Sequence, residues 1–368
     1  MFRITLAMYK ASLVYLCLIG LMCHNLHAQI EVGTYSYDRP IGDKYWLKTT
    51  EVVGLHATHD KVFVMEQFLV DSGPDSNLYL LHILSKKDSL DRIDTLSVSG
   101  RDLDGIFNQY TFFYGSDNYM GIMGHTLSNF GIYDSMFLII YNSQGNLVLD
   151  KRFPTSMHCT FNLDNNGVTT VLGYGWGLSS GEIRLYDIEG NLKTFIRGFI
   201  TGKTSGSVCQ INNKFYGINE SGWFFSMNKD GSNYRYKLAD LFRPLSDAGG
   251  MPNFDLSVDS NLLVGYRYDK FDRNTDTSET AMCMVDTSGK VFWNFLGRRS
   301  IGTTFSDFTG LLDGNTLLFS GGGRFLFLNR KGEILKKKKL SLNKRDTFFY
   351  HQYQYVTEDP SDSTIWIV

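Results

Sequence analysis

The chain has 368 residues, of which 43% are hydrophobic, 14% aromatic and 20% charged, with 36 Gly and only 6 Pro. This composition excludes disordered, collagen-like and disulfide-knot proteins, and its aromatics and glycines favour β-sheet. The formal net charge of −2 gives no global basic field of the kind that nucleic-acid binding uses.

The first segment of the chain has the pattern of a secretory signal peptide. Arg3 and Lys10 precede an apolar run over residues 11–23, and Ala28 supplies a small residue before a cleavage junction. The alternative is a membrane anchor, but the run is shorter than the roughly 20 residues that span a bilayer. We therefore predict a signal peptide over 1–28 and a secreted or periplasmic protein. Removing two basic and no acidic residues takes the formal charge from −2 to −4.

A hairpin with a D/N-x-x-G turn recurs along the rest of the chain. Its turn glycines are separated by 45, 41, 58 and 43 positions, and they are Gly145, Gly190, Gly231, Gly289 and Gly332. Glycine supplies the positive φ that a tight hairpin turn needs. A second hairpin type lies between these, with turns at 59–61, 116–118, 164–166, 212–214, 259–261, 313–315 and 361–363.

This period in the high forties, with four strands in each period, predicts a β-propeller. There are seven inner hairpins but only six outer ones, so we assign the missing outer pair to residues 32–38 and 44–48. The prediction is an all-β, single seven-bladed β-propeller over 29–368, its last blade closed by N-terminal and C-terminal strands. Six blades with a loose N-terminus is the alternative.

In a propeller, the loops that enter each new blade surround the central channel on one face. Every such predicted loop carries a cation, namely Lys48, Arg101, Arg152, Lys203, Arg243, Arg298 with Arg299, and Lys344 with Arg345. A basic rim on a mildly acidic body would attract anionic ligands. The alternative is a set of ordinary solvated loops, diluted by nearby aspartates.

Three histidines are placed by the same register at the channel mouth, where they could act as acid, base or ligand. They are His125, His158 and His351, and each has the alternative of a satisfied structural histidine. Tyr174 and Trp176 could add an aromatic platform on this face. We expect ligand contacts from this set: Lys203, Arg243, Arg298, Arg299, Arg345, Tyr174 and Trp176.

Other motifs have structural interpretations. The cysteines beyond the signal segment, Cys159, Cys209 and Cys283, lack CxxC spacing and lie in apolar runs, so we expect buried hydrophobes. Residues 162–167 resemble the start of a calcium loop but lack its final Glu, which favours a hairpin turn. The lysines at 336–339 are expected on an outermost strand as a charge-protected edge. We predict no metal site and no cofactor.

Residues 285–319 resemble the blade unit of bacterial arylsulfotransferase-type and quinoprotein-like propellers. The matching positions of that repeat are Asp286, Gly289, Val291, Trp293, Leu311, Gly314, Asn315 and Leu317. The resemblance implies a propeller fold. The catalytic His-Asp of the sulfotransferases is not matched, because Ser306-Asp307 stands in its place, and five Trp are too few for the quinone-binding repeat.

Three functional hypotheses follow. The first is a binding module for an anionic glycan or sulfate-ester ligand, or for an envelope protein, with no nucleic-acid partner and no membrane span in the mature chain. The second is an enzyme on anionic substrates, of the polysaccharide lyase or aryl sulfotransferase type, using channel-mouth His, Arg and Tyr. The third is a structural part of an envelope assembly, for which the insertion at 267–279 would suit a protein contact.

Overall fold

The structure is a computed structural model. It describes residues 47–70, 77–86, 90–95, 112–127, 133–154, 158–174, 180–200, 206–211, 214–219, 223–238, 253–256, 262–268, 279–298, 307–320, 324–339 and 356–367. The chain divides into two units, 1–40 and 41–368, and all of these residues belong to the second.

The first three sheets each contain four antiparallel strands in sequence order. The first comprises β1 (Leu47–Ala57), β2 (Lys61–Val70), β3 (Asn77–Ser85) and β4 (Leu90–Thr95). The second comprises β5 (Phe112–Gly115), β6 (Tyr119–Leu127), β7 (Tyr133–Asn142) and β8 (Leu147–Pro154). The third comprises β9 (His158–Leu163), β10 (Thr169–Tyr174), β11 (Ser180–Tyr186) and β12 (Leu192–Ile200).

Three further four-stranded sheets and one pair of strands follow. The fourth sheet comprises β13 (Gly206–Ile211), β14 (Lys214–Asn219), β15 (Trp223–Asn228) and β16 (Arg235–Leu238). The fifth comprises β17 (Asn253–Leu256), β18 (Leu262–Tyr268), β19 (Glu279–Val285) and β20 (Val291–Arg298). The sixth comprises β21 (Asp307–Gly310), β22 (Thr316–Ser320), β23 (Arg324–Leu328) and β24 (Ile334–Lys339), and β25 (Val356–Glu358) pairs with β26 (Ile365–Ile367).

The sheets are blades of a β-propeller, packed face to face through apolar side chains that alternate along each strand. Phe63 and Ile83 of the first blade lie in one buried cluster with Ile122 and Phe137 of the second. The innermost strands contact one another in chain order, and β25 contacts both β21 and β1. This period-2 alternation is what buries both faces of a blade between its neighbours.

The outer hairpins share one turn geometry, as the D/N-x-x-G pattern predicts. All five turn glycines have positive φ, between 73° and 81°. In the third blade, Asp187 Oδ1 accepts hydrogen bonds from the N–H groups of Glu189 and Asn191. Each turn glycine also lies against a side chain of the preceding blade where the contact is described: a Cβ on Gly332 would come within 2.7 Å of Trp293. The turns therefore join neighbouring blades as well as neighbouring strands.

The prediction of a seven-bladed propeller is wrong. Among the described residues only six sheets have four strands, and the last sheet is the two-stranded pair β25–β26. Leu47 and Lys48, assigned by sequence to the outer edge of the last blade, instead begin β1, where Leu47 pairs with Val70. An apolar–polar pattern marks a strand but does not specify its partner strand, which is why this assignment failed. Residues 32–38 lie outside the described part of the chain.

Contacts at the inner turns hold the two-stranded sheet between the sixth and first blades. The Lys86 ammonium donates to the buried Asp359 carboxylate and, at 2.8 Å, to the carbonyl oxygen of His59. On the other side, the N–H of Leu312 donates to Glu358 Oε2 at 2.6 Å. The ring thus closes through polar contacts on both sides of the last sheet.

Several structural interpretations of the sequence are confirmed. Cys159, Cys209 and Cys283 are buried thiols. Residues 164–167 form the turn between β9 and β10, where Asp164 Oδ1 accepts from the N–H groups of Asn166 and Val168. The lysines at 336–339 lie on β24, the outermost strand of its blade.

None of the described segments is a helix with the length and apolarity to cross a bilayer.

Candidate functional site

The structure describes only part of the predicted channel-mouth set. His158 lies directly opposite Tyr174 in the β9–β10 pairing, whereas His125 lies opposite Met136 in the second blade. Arg298 is at the end of β20, opposite Glu279. The remaining members lie outside the described residues: Trp176, Lys203, Arg243, Arg299, Arg345 and His351. A site shared by the three histidines therefore stays a prediction.

Of the other predicted rim cations, Arg152 has described contacts. It is on β8, and its Nε donates to Ser135 Oγ at 2.6 Å. This hydrogen bond joins two strands of the same blade. Lys48 is on β1, and Arg101 and Lys344 lie outside the described ranges. His56 and His82 make contacts within the fold: His56 Nε2 contacts the Ser116 carbonyl oxygen at 2.8 Å, and burial lowers the pKa of His56. His82 Nε2 lies 2.9 Å from Glu66 Oε2.

A charged cluster that the sequence did not single out lies on the third blade. The hairpin of β11 and β12 places Glu182 opposite Arg197 and Arg184 opposite Phe195. Ile183 and Leu185, at the alternate positions of β11, belong to the apolar core shared with the fourth blade. Because directly opposed residues share one face of a sheet, the four polar and aromatic side chains come together. We call Glu182, Arg184, Phe195 and Arg197 the arginine cluster.

Glu182 is the anionic centre of this cluster and is fully buried. Its Oε1 lies 2.5 Å from Arg184 Nη2, and its Oε2 lies 3.2 Å from Arg197 Nη2. A carboxylate can be held in such a position only if it is paired, because an isolated buried charge costs several kcal/mol (about 3–5 when one partner of a buried pair is removed). Gly173 provides the space, since a Cβ there would come within 2.8 Å of Glu182 Cγ.

Arg184 is fixed in place by three partners. Besides Glu182, it donates from Nη1 to the carbonyl oxygen of Pro154 at 2.9 Å. Burial opposes its positive charge, but a hydrogen bond with Tyr186 and the charge of Glu182 outweigh it and raise the pKa of Arg184. Burial also raises the pKa of Tyr186, although the bond with Arg184 opposes that shift. Arg184 is therefore a permanently charged, oriented guanidinium.

Arg197 and Phe195 form the exposed part of the cluster. The Arg197 side chain is 62% exposed, and its guanidinium carbon lies 5.2 Å from the centre of the Phe195 ring. The guanidinium carbon of Arg184 lies 5.8 Å from the same ring. Two guanidinium groups thus lie close to the ring, a stabilising arrangement. With one glutamate and two arginines, the cluster carries one excess positive charge.

The arginine cluster lies at the same end of the third blade as two of the predicted site residues. Glu182 pairs with Gly173, and the next row of the sheet contains Gly181, Tyr174 and His158. These two rows are adjacent, and adjacent positions of a strand face opposite sides of the sheet, so the position of Glu182 and the positions of His158 and Tyr174 lie on opposite faces of the blade.

A sequence signal for this cluster did exist. Glu182, Arg184 and Tyr186 alternate with Ile183 and Leu185, which marks a polar face on a strand that is otherwise buried. The partner strand holds Phe195 and Arg197 two positions apart. Pairing the two sets requires the hairpin register, which a bulge after the turn shifts by one residue. A register predicted from the sequence without that bulge places the wrong residue of β12 opposite Glu182.

The fold makes this chain a β-propeller protein. No protein family matches its sequence, and no curated protein does. No family match therefore supports the arylsulfotransferase-type resemblance of residues 285–319.

Three solved structures are similar to the chain. The computationally designed Ika8 protein has a TM-score of 0.46 at 9% identity, covering 88% of this chain and 97% of its own. BamB from Moraxella catarrhalis has a TM-score of 0.41 at 8% identity, covering 87% and 96%. The Dos1 propeller has a TM-score of 0.46 at 11% identity, covering 89% and 83%. Likeness at this level carries no functional information.

Proposed function

We propose that this protein is a binding propeller whose arginine cluster takes an anionic carbohydrate, either a uronate or a sulfate ester. The observation that carries the proposal is the exposed guanidinium of Arg197 beside the exposed ring of Phe195, on a cluster with an excess positive charge. Glu182 balances only one of the two arginines. A bound anion would balance the other.

The chemistry of the cluster suits this ligand class. A guanidinium presents paired N–H donors that match a carboxylate or a sulfate group. An aromatic ring packs against the C–H face of a sugar, while its edge leaves the hydroxyls in water. Arg184 is already oriented by Pro154 and Tyr186, so little side-chain entropy is lost when a ligand binds near it.

Calorimetry with matched sugars tests the proposal. Oligosaccharides of galacturonate and of galactose differ only in the carboxylate, and we expect binding of the charged form alone. Phe195→Ala should weaken that binding at least fivefold, because the packing surface is lost. Equal affinity for charged and neutral forms, or an unchanged affinity in Phe195→Ala, would refute the assignment of this site.

An enzyme of the uronate lyase type is a second candidate, favoured by the direct opposition of His158 and Tyr174 in the β9–β10 pairing. In such a reaction an arginine offsets the substrate carboxylate while His or Tyr moves the proton. Polygalacturonate incubated with the protein should then give an unsaturated product that absorbs in the ultraviolet. Loss of turnover in His158→Ala, with ligand binding retained, supports this candidate. Binding of polygalacturonate without any turnover would contradict the enzyme candidate and would leave the binding propeller as the proposed function.

Secretion fits a carbohydrate ligand and is proposed on the signal-like segment at 1–28. Expression of the full-length chain in a bacterial host, followed by N-terminal sequencing of the exported protein, should find Gln29 as the first residue. Retention of an uncleaved chain in the cytoplasm would contradict this part of the proposal.

A further inference from the structure

We propose a second binding surface, distinct from the arginine cluster: the outer edge of β24 binds an acidic peptide segment of a partner protein by strand addition. The edge comprises Ile334, Leu335 and the four lysines at 336–339. In the described part of the chain β24 pairs only with β23, on its inner side.

The charge of β24 exceeds that of the other outermost strands. β8 carries Lys151 and Arg152 beside Asp150, β12 carries Lys193 and Arg197, and β20 carries Arg298. One or two cations are enough to keep such edges from pairing with other chains. β24 has four consecutive lysines and no acidic residue. Protection of the edge from unwanted pairing therefore explains one or two of the lysines on β24, but it does not explain all four.

The lysines are held close together on an exposed edge. Lys336 and Lys337 are exposed, and they lie opposite Phe327 and Leu326 of β23. Partial desolvation and the neighbouring charge of Lys336 lower the pKa of Lys338. Like charges at this spacing repel one another, and an anionic partner would relieve that repulsion.

The geometry favours a peptide strand over a flat anionic surface. Alternate residues of a strand face opposite sides of the sheet, so the lysines place cations on both faces of the edge. An added strand runs in the plane of the sheet and can place a carboxylate opposite each lysine. Main-chain N–H and C=O groups along a sheet edge supply the remaining hydrogen bonds.

The apolar end of β24 sets the expected order of the partner sequence. Leu335 is the extra residue of a bulge that ends the regular pairing, and it is 56% exposed. Ile334 beside it is 45% exposed. In an antiparallel addition, a partner with four acidic residues followed by two apolar ones would place its apolar end against Ile334 and Leu335.

Fluorescence anisotropy with a labelled peptide of four acidic and two apolar residues tests the proposal. The double variant Lys336→Glu/Lys337→Glu should bind this peptide at least tenfold more weakly and bind a peptide with lysines in place of the acidic residues more tightly. The control Lys290→Glu/Lys331→Glu makes the same charge change in exposed turns, and its affinity should change less than twofold. Equal losses in the two variants would overturn the proposal.

Two further measurements distinguish binding by strand addition from binding by electrostatic attraction alone. An N-methylated version of the peptide cannot pair with a sheet edge and should bind at least tenfold more weakly. Amide hydrogen exchange in β24 should slow when the unmodified peptide binds. Equal binding of the N-methylated peptide, unchanged exchange, or tighter binding of phosphatidylglycerol vesicles or a single-stranded oligonucleotide would overturn it.

Discussion

At the scale of single residues, the turn glycines explain why the repeat is visible in the sequence. These positions require a positive φ. They also require a residue without a Cβ, because side chains of the preceding blade occupy the space that a Cβ would take. A Cβ on Gly190 would meet Lys151 at 2.9 Å, and one on Gly332 would meet the Trp293 ring at 2.7 Å. Gly198 also has a positive φ, of 88°, but a Cβ there would meet nothing within 4 Å. The two requirements can therefore be separated.

Gly332→Ala should be more destabilising than Gly198→Ala. A left-handed φ costs a non-glycine residue about 1–2 kcal/mol, and both variants incur this cost. Gly332→Ala adds overpacking against Trp293, which typically costs about 1–3 kcal/mol. Urea unfolding monitored by circular dichroism measures the difference. Equal free energies of unfolding for the two variants would show that the contact between blades is unimportant.

At the scale of elements, a bulge in five of the six described outer hairpins decides which side chains are exposed. In these five blades the register shifts after the outer turn, which leaves one extra residue in the outer strand: Asp91, Val148, Lys193, Phe292 and Leu335. A bulge turns a side chain away from its regular direction. Phe292 is consequently 53% exposed while the adjacent Trp293 is 7% exposed.

Phe292→Ser and Trp293→Ala form a matched pair of neighbours on β20. The first should change the free energy of unfolding by less than about 0.5 kcal/mol, as expected for an exposed position. The second should cost about 3–5 kcal/mol, because a buried aromatic side chain is lost from the core of the fifth and sixth blades. Thermal or urea unfolding of both variants measures the two effects, and a large loss in Phe292→Ser would contradict this account of the bulge.

The sequence predicts hairpins well and their partners poorly. The turn positions at Gly145, Gly190 and Gly332 follow from local chemistry, and all three are found. The assignment of Leu47 and Lys48 to the last blade failed because strand partners are chosen by tertiary packing, which a local pattern does not contain. The pairing of Glu182 with Arg197 was missed for a similar reason: one bulge residue changes every opposed pair beyond it.

At the scale of the whole molecule, polar contacts join the last, two-stranded sheet to the first and sixth blades, beside its apolar packing against the sixth. The Asp359 carboxylate accepts from Lys86, from the Ser361 hydroxyl at 2.6 Å and from the Ser361 N–H at 2.8 Å. Burial alone would raise the pKa of Asp359, but these partners lower it below its ordinary value. The ionised form of Asp359 therefore stabilises the folded protein.

Asp359→Asn should lower the stability in a pH-dependent way. Because the folded-state pKa is depressed, the contribution is complete above the ordinary aspartate pKa of about 3.9 and is lost as the pH falls through the folded-state value. At pH 7 the loss should be about 1.5–3 kcal/mol, as for hydrogen bonds to charged groups. Thermal unfolding of wild type and variant from pH 7 to pH 3 measures it.

A double-mutant cycle with Lys86→Gln supplies the control. Since Lys86 and Asp359 act on one contact, the effects of the single variants should not add at pH 7. A constant difference between wild type and Asp359→Asn at all pH values, or additive effects, would mean that this ion pair does not close the ring.

The most direct test of the proposed function compares Arg197→Gln with Lys193→Gln by titration calorimetry with a galacturonate oligosaccharide. Both variants remove one exposed positive charge from β12, but only Arg197 belongs to the arginine cluster. Our account predicts that Arg197→Gln weakens binding at least tenfold while Lys193→Gln changes it less than twofold. Equal weakening in the two variants, or none in Arg197→Gln, would contradict it.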